Sequence, residues 1–451
     1  MQIFSSSLPS GYPSVSTPAG PAPESGVPTS TTDSVDLPLP PDGGKDAREK
    51  WIADMFELSN HEVARDNPSG FAEKKQKMLE SPYAYFRGED TAFNLDLAKF
   101  APPDPHEPRI SSPGDLHALN FGTYRSAQGN LVYDVNDFDE AVSSQPFSRD
   151  ILRDATSWIL ASREAGHPAS HQEEIAKAYV DAFVKQLKEF ARHGGSHHFV
   201  INEKTAPDGP VKSLLAHLGK TDPAHWVDKF TTRGADGSYQ FVKTDTVIPQ
   251  PESLKDALVA ASPQLQHANV VAVASKLDSG TASIGLPRYY LLEQPQDGSS
   301  PRILEVKQEL RSALAGVPDV HVTTVANRSA QVADAAATLP AEPYPQLGSF
   351  LVAPAAVGAV SPDSGEASFL VRERPAAKSS FDLDTMKSHE MVSVAQVQGQ
   401  LTAAYMARQP GVTEALEKFL DDHPHWAEEQ VTRATAAAGR VDENFHAFKK
   451  D

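Results

Sequence analysis

Cysteine is absent from the 451 residues. Its absence removes disulfides, thiol catalysis and cysteine-ligated zinc together, and leaves the redox compartment open. Clusters of basic residues are absent too. With 41 Lys and Arg against 60 Asp and Glu the formal net charge is −19. A phosphate backbone would repel such a chain, so no nucleic-acid partner is expected. No apolar run approaches the roughly 20 residues of a membrane-spanning helix, so no membrane span is expected. Lysine and arginine are missing before Lys45, which argues against a Sec-type signal and an arginine-rich presequence. No repeat with a period of 20 to 50 residues is visible.

What is present is enough for a sizeable core: 39% of residues are hydrophobic and 8% aromatic. The length exceeds one typical domain, so two lobes are expected. Residues 1–44 stand apart, because Ser, Thr, Pro and Gly make up more than half of them. That composition predicts a disordered tail. It also fits an export leader of the type III kind, whose first acid here is Glu24. The expected location is therefore the cytoplasm, or a host cell reached through a leaderless export route.

The chain is organised around Ser111 to Glu140, which gathers Asp115, His117, Asn120, Asp134, Asn136, Asp137, Asp139 and Glu140. The apolar run Leu131-Val132-Tyr133 follows a turn signal at Gln128-Gly129-Asn130. The expected arrangement is loop, strand, turn, strand, loop, with acids at both ends of one hairpin. Carboxylates and an Asn at a hairpin mouth can hold hard divalent cations through oxygen. Two acidic surface loops would give the same pattern.

Asp115 and Asn120 stand as D-x-x-x-x-N, and Asp137-Phe138-Asp139 follows seventeen residues after Asn120. This resembles the catalytic loop and metal-binding turn of the protein-kinase-like phosphotransferases, especially the aminoglycoside and choline kinase branch. The resemblance implies that Asp115 orients an acceptor hydroxyl, while Asn120 and Asp137 hold magnesium on the phosphates of ATP. Asp139 would be a second ligand or a local brace, and His117 would contact the acceptor or brace the loop. One departure is Pro113, which replaces the His expected two places before Asp115. The segments SPYAYFRG, GDLHALNFG, DVNDFDE and LEVKQELRSAL also resemble a bacterial family catalogued as domain of unknown function 2252, over roughly Lys74 to the C-terminus.

Elsewhere, apolar spacing predicts helices over Asp46–Arg65, Ala72–Leu79 and Ser148–Gly166, with Ser81-Pro82 as a stop. Arg87 is a candidate partner for a loop carboxylate or a phosphate, or a structural arginine. Asp150 is expected to hydrogen-bond the catalytic-loop backbone. Ser170 and Glu173 read as a capping box opening a further helix, closed by Gly194-Gly195. His193, His197 and His198 read as surface residues. Strands are expected over Asn269–Leu277, Arg288–Leu292 and Arg302–Lys307, then Ser349–Val352 and Ser368–Arg372. A loop bounded by Gly280 and Gly285 precedes the second strand, and Lys307 sits on the face opposite Val306.

Strand, glycine loop, strand, turn and strand with lysine is the order of a kinase N-lobe, where the loop covers phosphates and the lysine pairs with them. Here that lobe follows the catalytic loop. The expected fold is thus α+β, protein-kinase-like in two lobes and circularly permuted. Residues 45–266 would carry the catalytic loop in a mostly helical C-lobe, 267–378 a small antiparallel N-lobe, and 379–451 the helices completing the C-lobe. The helix Asn327–Leu339 has no Glu to pair with Lys307, leaving Asp334 or Glu309; Arg372–Lys378 would be the adenine-binding hinge. The function expected is transfer of a phosphoryl or nucleotidyl group from ATP, with Mg²⁺, to an unknown small-molecule or protein acceptor. The alternative is a non-catalytic nucleotide-binding interaction protein, and a third reading is a metal-dependent hydrolase built on the hairpin alone.

Overall fold

The computed structural model describes residues 37–196, 199–221, 225–235, 237–277, 280–297, 299–323, 327–345, 347–363, 365–374 and 377–450. The expected tail therefore lies outside the described residues up to position 36, as do His197 and His198. Positions 37–44, read as the end of that tail, are held instead: Trp51 Nε1 donates to Pro38 O at 2.8 Å and Lys99 Nζ to Pro40 O at 2.5 Å. The described residues form one compact unit.

The helix expected over 46–65 is two, α1 (Lys45–Ser59) and α2 (His61–Asp66). Asn60 makes the break: its amide donates to Phe56 O at 2.8 Å and accepts from Lys74 Nζ at 2.6 Å, so side-chain bonding competes with the helix. Asn67 caps α3 (Pro68–Met78). Ser81-Pro82 does more than stop it. Ser81 accepts from Ala84 N at 3.0 Å and Pro82 takes the first helical position, opening α4 (Pro82–Gly88). Helix α5 (Asp90–Phe100) follows.

Strands β1 (Arg109–Ser112) and β4 (Val142–Pro146) pair antiparallel and bracket the hairpin β2 (Phe121–Arg125) and β3 (Leu131–Val135). Then come α6 (Ser148–Glu164) and α7 (Ala169–His193). The capping box expected at Ser170 is not used. Helix α7 starts one residue earlier, after Pro168, which puts Ser170 inside the first turn. Gly194, at φ 77°, closes it.

After a small hairpin of β5 (Thr231–Arg233) and β6 (Tyr239–Phe241) comes the main sheet. It contains β7 (Val247–Pro249), β8 (Val270–Lys276), β9 (Arg288–Glu293), β10 (Arg302–Glu309), β11 (Gly348–Val352) and β12 (Ala367–Glu373). Their order is β11-β12-β10-β9-β8-β7, all antiparallel. Alternation divides its residues between two faces. Leu304, Val306, Phe369 and Val371 enter an apolar cluster with Leu258 of the helix Glu252–Ala261. Glu305, Lys307, Glu309 and Arg372 therefore share the other face. Helices Arg328–Thr338, Ser388–Ala407, Val412–Asp422 and Trp426–Phe448 complete the chain. A larger apolar core joins α1, α4, α6, α7 and the last three of those helices. The protein is mixed α+β with small antiparallel sheets.

Candidate functional site

The loop between β1 and β2 is set by helix α6, whose Asp150, Arg153, Asp154 and Ser157 lie at the i, i+3, i+4, i+7 spacing of one helical face. Asp150 reaches the loop through Ser112 rather than directly. Ser112 Oγ donates to Asp150 and accepts from Gly114 N at 2.8 Å, and Gln145 Nε2 donates to Asp150 at 2.8 Å. Ser157 Oγ accepts from Ala118 N at 2.9 Å. Gly114 is required where it stands. Its φ is 89°, and a Cβ there would lie 2.0 Å from Glu140 O.

Asp115 and Arg153 are both buried, with Arg153 Nε 2.5 Å from the Asp115 carboxylate and 2.9 Å from that of Asp90. Burial pushes Asp115 up to about 7, against the pull of Arg153. His117 lies behind Asp115 at 3.7 Å and accepts from Leu119 N at 3.2 Å. Burial, then Arg87 and Arg153, hold its imidazole well below the ordinary range, so it is neutral. The bond from Leu119 N ties His117 into its own loop. Asn120 donates its amide to Asp115 O, the backbone carbonyl.

At the other mouth of the hairpin, Asp137 and Asp139 face Lys307. The Lys307 ammonium donates to the Asp139 carboxylate and stands 3.4 Å from Glu309. Burial opposes both charges of the first pair, but each outweighs it for the other: Asp139 is held down to about 2 and Lys307 well above the usual ammonium range. Burial and the neighbouring Asp139 push Asp137 up, while burial pushes Glu309 far up. Of the two partners expected for Lys307, Glu309 is in place and Asp334 is exposed on its helix.

Asp115, Asn120, Asp137, Asp139 and Lys307 thus line one cleft. Sequence reasoning also singled out Arg87, Glu140 and Glu309, and all three line it. The glycine-bounded loop contributes through Ala282 and Ser283 rather than its glycines, and Leu286 just beyond it also lines the cleft; Asp278 and Ser279 lie outside the described residues. Gly280 is exposed. Gly285, at φ 92°, is pressed on Gly70 and Val63, and its carbonyl accepts from Asn67 at 2.9 Å. Arg372 does not line the cleft. It bonds Glu305 at 2.7 Å, directly across from it on β10, and lies 5.3 Å from the Tyr344 ring. Burial works against ionisation of Glu305, but Arg372 and Arg288 hold it well below the carboxylate range. In the segment read as a hinge, burial brings Lys378 down to about 8; Pro375 and Ala376 lie outside the described residues.

Sequence reasoning missed Arg153, Lys74, Glu89 and Asp90. Arg153, Lys74 and Asp90 are buried charges on helices and Glu89 is the buried cap between α4 and α5; only Arg153 gave a signal, standing one turn after Asp150 within the apolar pattern of α6. Glu89 and Asp90 each keep a buried carboxylate oxygen with no hydrogen-bond partner. Hard oxygen donors of this kind suit Mg²⁺ rather than softer metals. The cleft acids are spread wider than a tight three-ligand cluster. Among the described residues such a cluster occurs at His61, Glu62 and Asp363 on the surface, where Arg65 is bonded to Asp363 at 3.2 Å.

The fold and the site define an α+β protein with a charged cleft between a hairpin and a sheet. Residues 65–451 match the family model described as an uncharacterized protein conserved in bacteria, domain of unknown function 2252, and the chain belongs to that family. No curated protein and no solved structure matches the chain.

Proposed function

We propose that the protein is an ATP- and Mg²⁺-dependent phosphotransferase, passing a phosphoryl or nucleotidyl group to an acceptor that is a small molecule or a protein. The observation that carries this reading is the meeting of Asp115, Asn120, Asp137, Asp139 and Lys307 in one cleft, although Lys307 stands 168 residues from Asp139. It supports a two-lobe, protein-kinase-like fold in which the lobe order is permuted. The main sheet then acts as the small lobe.

Asn120 and Asp137, with Asp139, would hold the metal, whose chemistry is to neutralise charge on the phosphates. Lys307 exchanges Asp139 for a phosphate oxygen when nucleotide enters. Asp115 orients the acceptor hydroxyl and takes its proton. Burial has tuned it for that task, since a base near 7 is poised at working pH. The Glu305–Arg372 pair stiffens the sheet behind Lys307.

One observation favours the rival, a nucleotide binder without turnover: Asp115 is already engaged by Arg153 at 2.5 Å. Asp115→Asn separates the two readings. In the phosphotransferase, ATP affinity stays within a few-fold while turnover falls by roughly 10²–10⁴. Lys307→Met weakens binding as well, and Asp137→Asn abolishes its dependence on Mg²⁺. Calorimetry in chelator showing tight ATP binding that Asp137→Asn leaves untouched would overturn the assignment. Turnover unchanged by Asp115→Asn would exclude Asp115 as the base.

A further inference from the structure

Two cations of the cleft are left over once its ion pairs are assigned. Lys307 is matched by Asp139 and Glu309, and Arg153 by Asp115 and Asp90. Among the described residues, Lys74 on α3 and Arg87 on α4 have no carboxylate within ion-pair distance. Both line the cleft. Lys74 is only 7% exposed, and its ammonium donates to Asn60 Oδ1 at 2.6 Å and to Ala282 O at 3.1 Å. Two of its three N–H donors are thus used, both on neutral acceptors. Burial lowers its pKa, against the more distant pull of Glu89 and Glu140. Arg87 lies with its guanidinium 5.8 Å from the Tyr83 ring, and its Nε is buried with no hydrogen-bond partner.

A buried ammonium and a half-buried guanidinium with no carboxylate in ion-pair contact, only more distant ones such as Glu89, Glu140 and Glu164, cost the folded chain stability. Such an arrangement is worth keeping where a ligand brings the missing charge. The two groups also share a neighbour. Lys74 bonds the turn Thr281–Ser283 directly, and Gly88, next to Arg87, faces Thr281 of the same turn. Lys74 therefore sits on the turn Thr281–Ser283, and the helix that carries Arg87 packs against the same turn through Gly88, whereas Lys307 enters the cleft from the sheet.

We infer that Lys74 and Arg87 form an oxyanion-binding position in the cleft, separate from that of Lys307, which takes a phosphate-like group. Arg87 supplies in-plane N–H donors to two oxygens and Lys74 a point charge with its remaining donor. The inference rests on the phosphotransferase reading for the source of that group, which is either the terminal phosphoryl group of the nucleotide or an anionic group on the acceptor.

The test is calorimetric titration of inorganic phosphate into the nucleotide-free protein, followed by titrations with Mg²⁺·ADP and with a non-hydrolysable Mg²⁺·ATP analogue. Wild type is compared with Arg87→Gln, Arg87→Lys, Lys74→Met and Lys307→Met, each checked for folding by circular dichroism. Phosphate affinity should fall at least tenfold in Arg87→Gln, recover in part in Arg87→Lys, and survive in Lys307→Met. If the group is the terminal phosphoryl, Arg87→Gln weakens the ATP analogue tenfold and leaves ADP unchanged. If it belongs to the acceptor, both nucleotides bind Arg87→Gln as they bind wild type, and only phosphate binding to the analogue-loaded protein is lost. No phosphate binding in wild type, or equal binding in folded Arg87→Gln, overturns the inference. A wild type that binds phosphate through Arg87 but no nucleotide keeps the oxyanion site and sinks the phosphotransferase.

Discussion

Asp154 shows how far burial sets the chemistry of single residues here. It lies fully inside α6, accepts from Ser157 Oγ at 2.9 Å, and keeps its second oxygen without a partner. Burial raises its carboxyl to about 8. The folded chain thus holds a proton that the unfolded chain has already released, so stability falls as pH rises from the unfolded carboxylate value near 4 towards 8. The slope from this one group approaches about 1.4 kcal/mol per pH unit. Asp154→Asn should remove it, and denaturant midpoints for the two proteins across pH 5 to 8 should diverge. The same physics separates the legible residues from the hidden ones. Asp115, Asn120 and Asp137 were readable from their spacing, D-x-x-x-x-N and an acid pair seventeen residues on, since acid content alone would equally describe two surface loops. Lys74, Asp90 and the cap residue Glu89 were not, since a charge on a helix or at its end ordinarily points to solvent and only the folded neighbours show otherwise.

At the scale of elements, the loop carrying Asp115 depends on two close approaches. Gly114 passes against Glu140 O, and Ser112 ties the loop to α6. Gly114→Ala should push that loop away from the Asp137 turn, and metal-dependent nucleotide binding should then fail even where the protein stays folded. Ser112→Ala leaves Asp150, Gln145 and Gly114 N short of a partner, a loss of about 1–3 kcal/mol in denaturant unfolding. Most strands and long helices could be read from the sequence, because periods of 2 and 3.6 survive whenever one face is buried. The breaks could not. Asn60 ends α1 through a bond to Lys74, and Pro82 opens a helix because Ser81 caps it. Both outcomes depend on side-chain geometry rather than on pattern.

Across the whole molecule, the ends of the described chain are knotted together. Arg48 on α1 donates to Asp96 on α5 and to Asn444 on the last helix, at 2.5 and 2.9 Å, and Lys450 bonds Glu49 at 2.5 Å. Arg48→Met strands the buried Asp96 carboxylate, which still accepts from Asn444 at 2.8 Å. A loss of about 2 kcal/mol is expected, with amide exchange rising together in α1 and the last helix. The pairing of Lys307 with Asp139 carries a different consequence, one of time. A ribosome adding roughly 5–20 residues per second needs on the order of ten seconds or more to pass from the acid to its lysine. During that interval Asp115 has Arg153 of α6 already at hand, but Asp137 and Asp139 have no sheet to answer them. The cleft cannot close on its own first half, and until β10 emerges those two carboxylates face water or a passing cation.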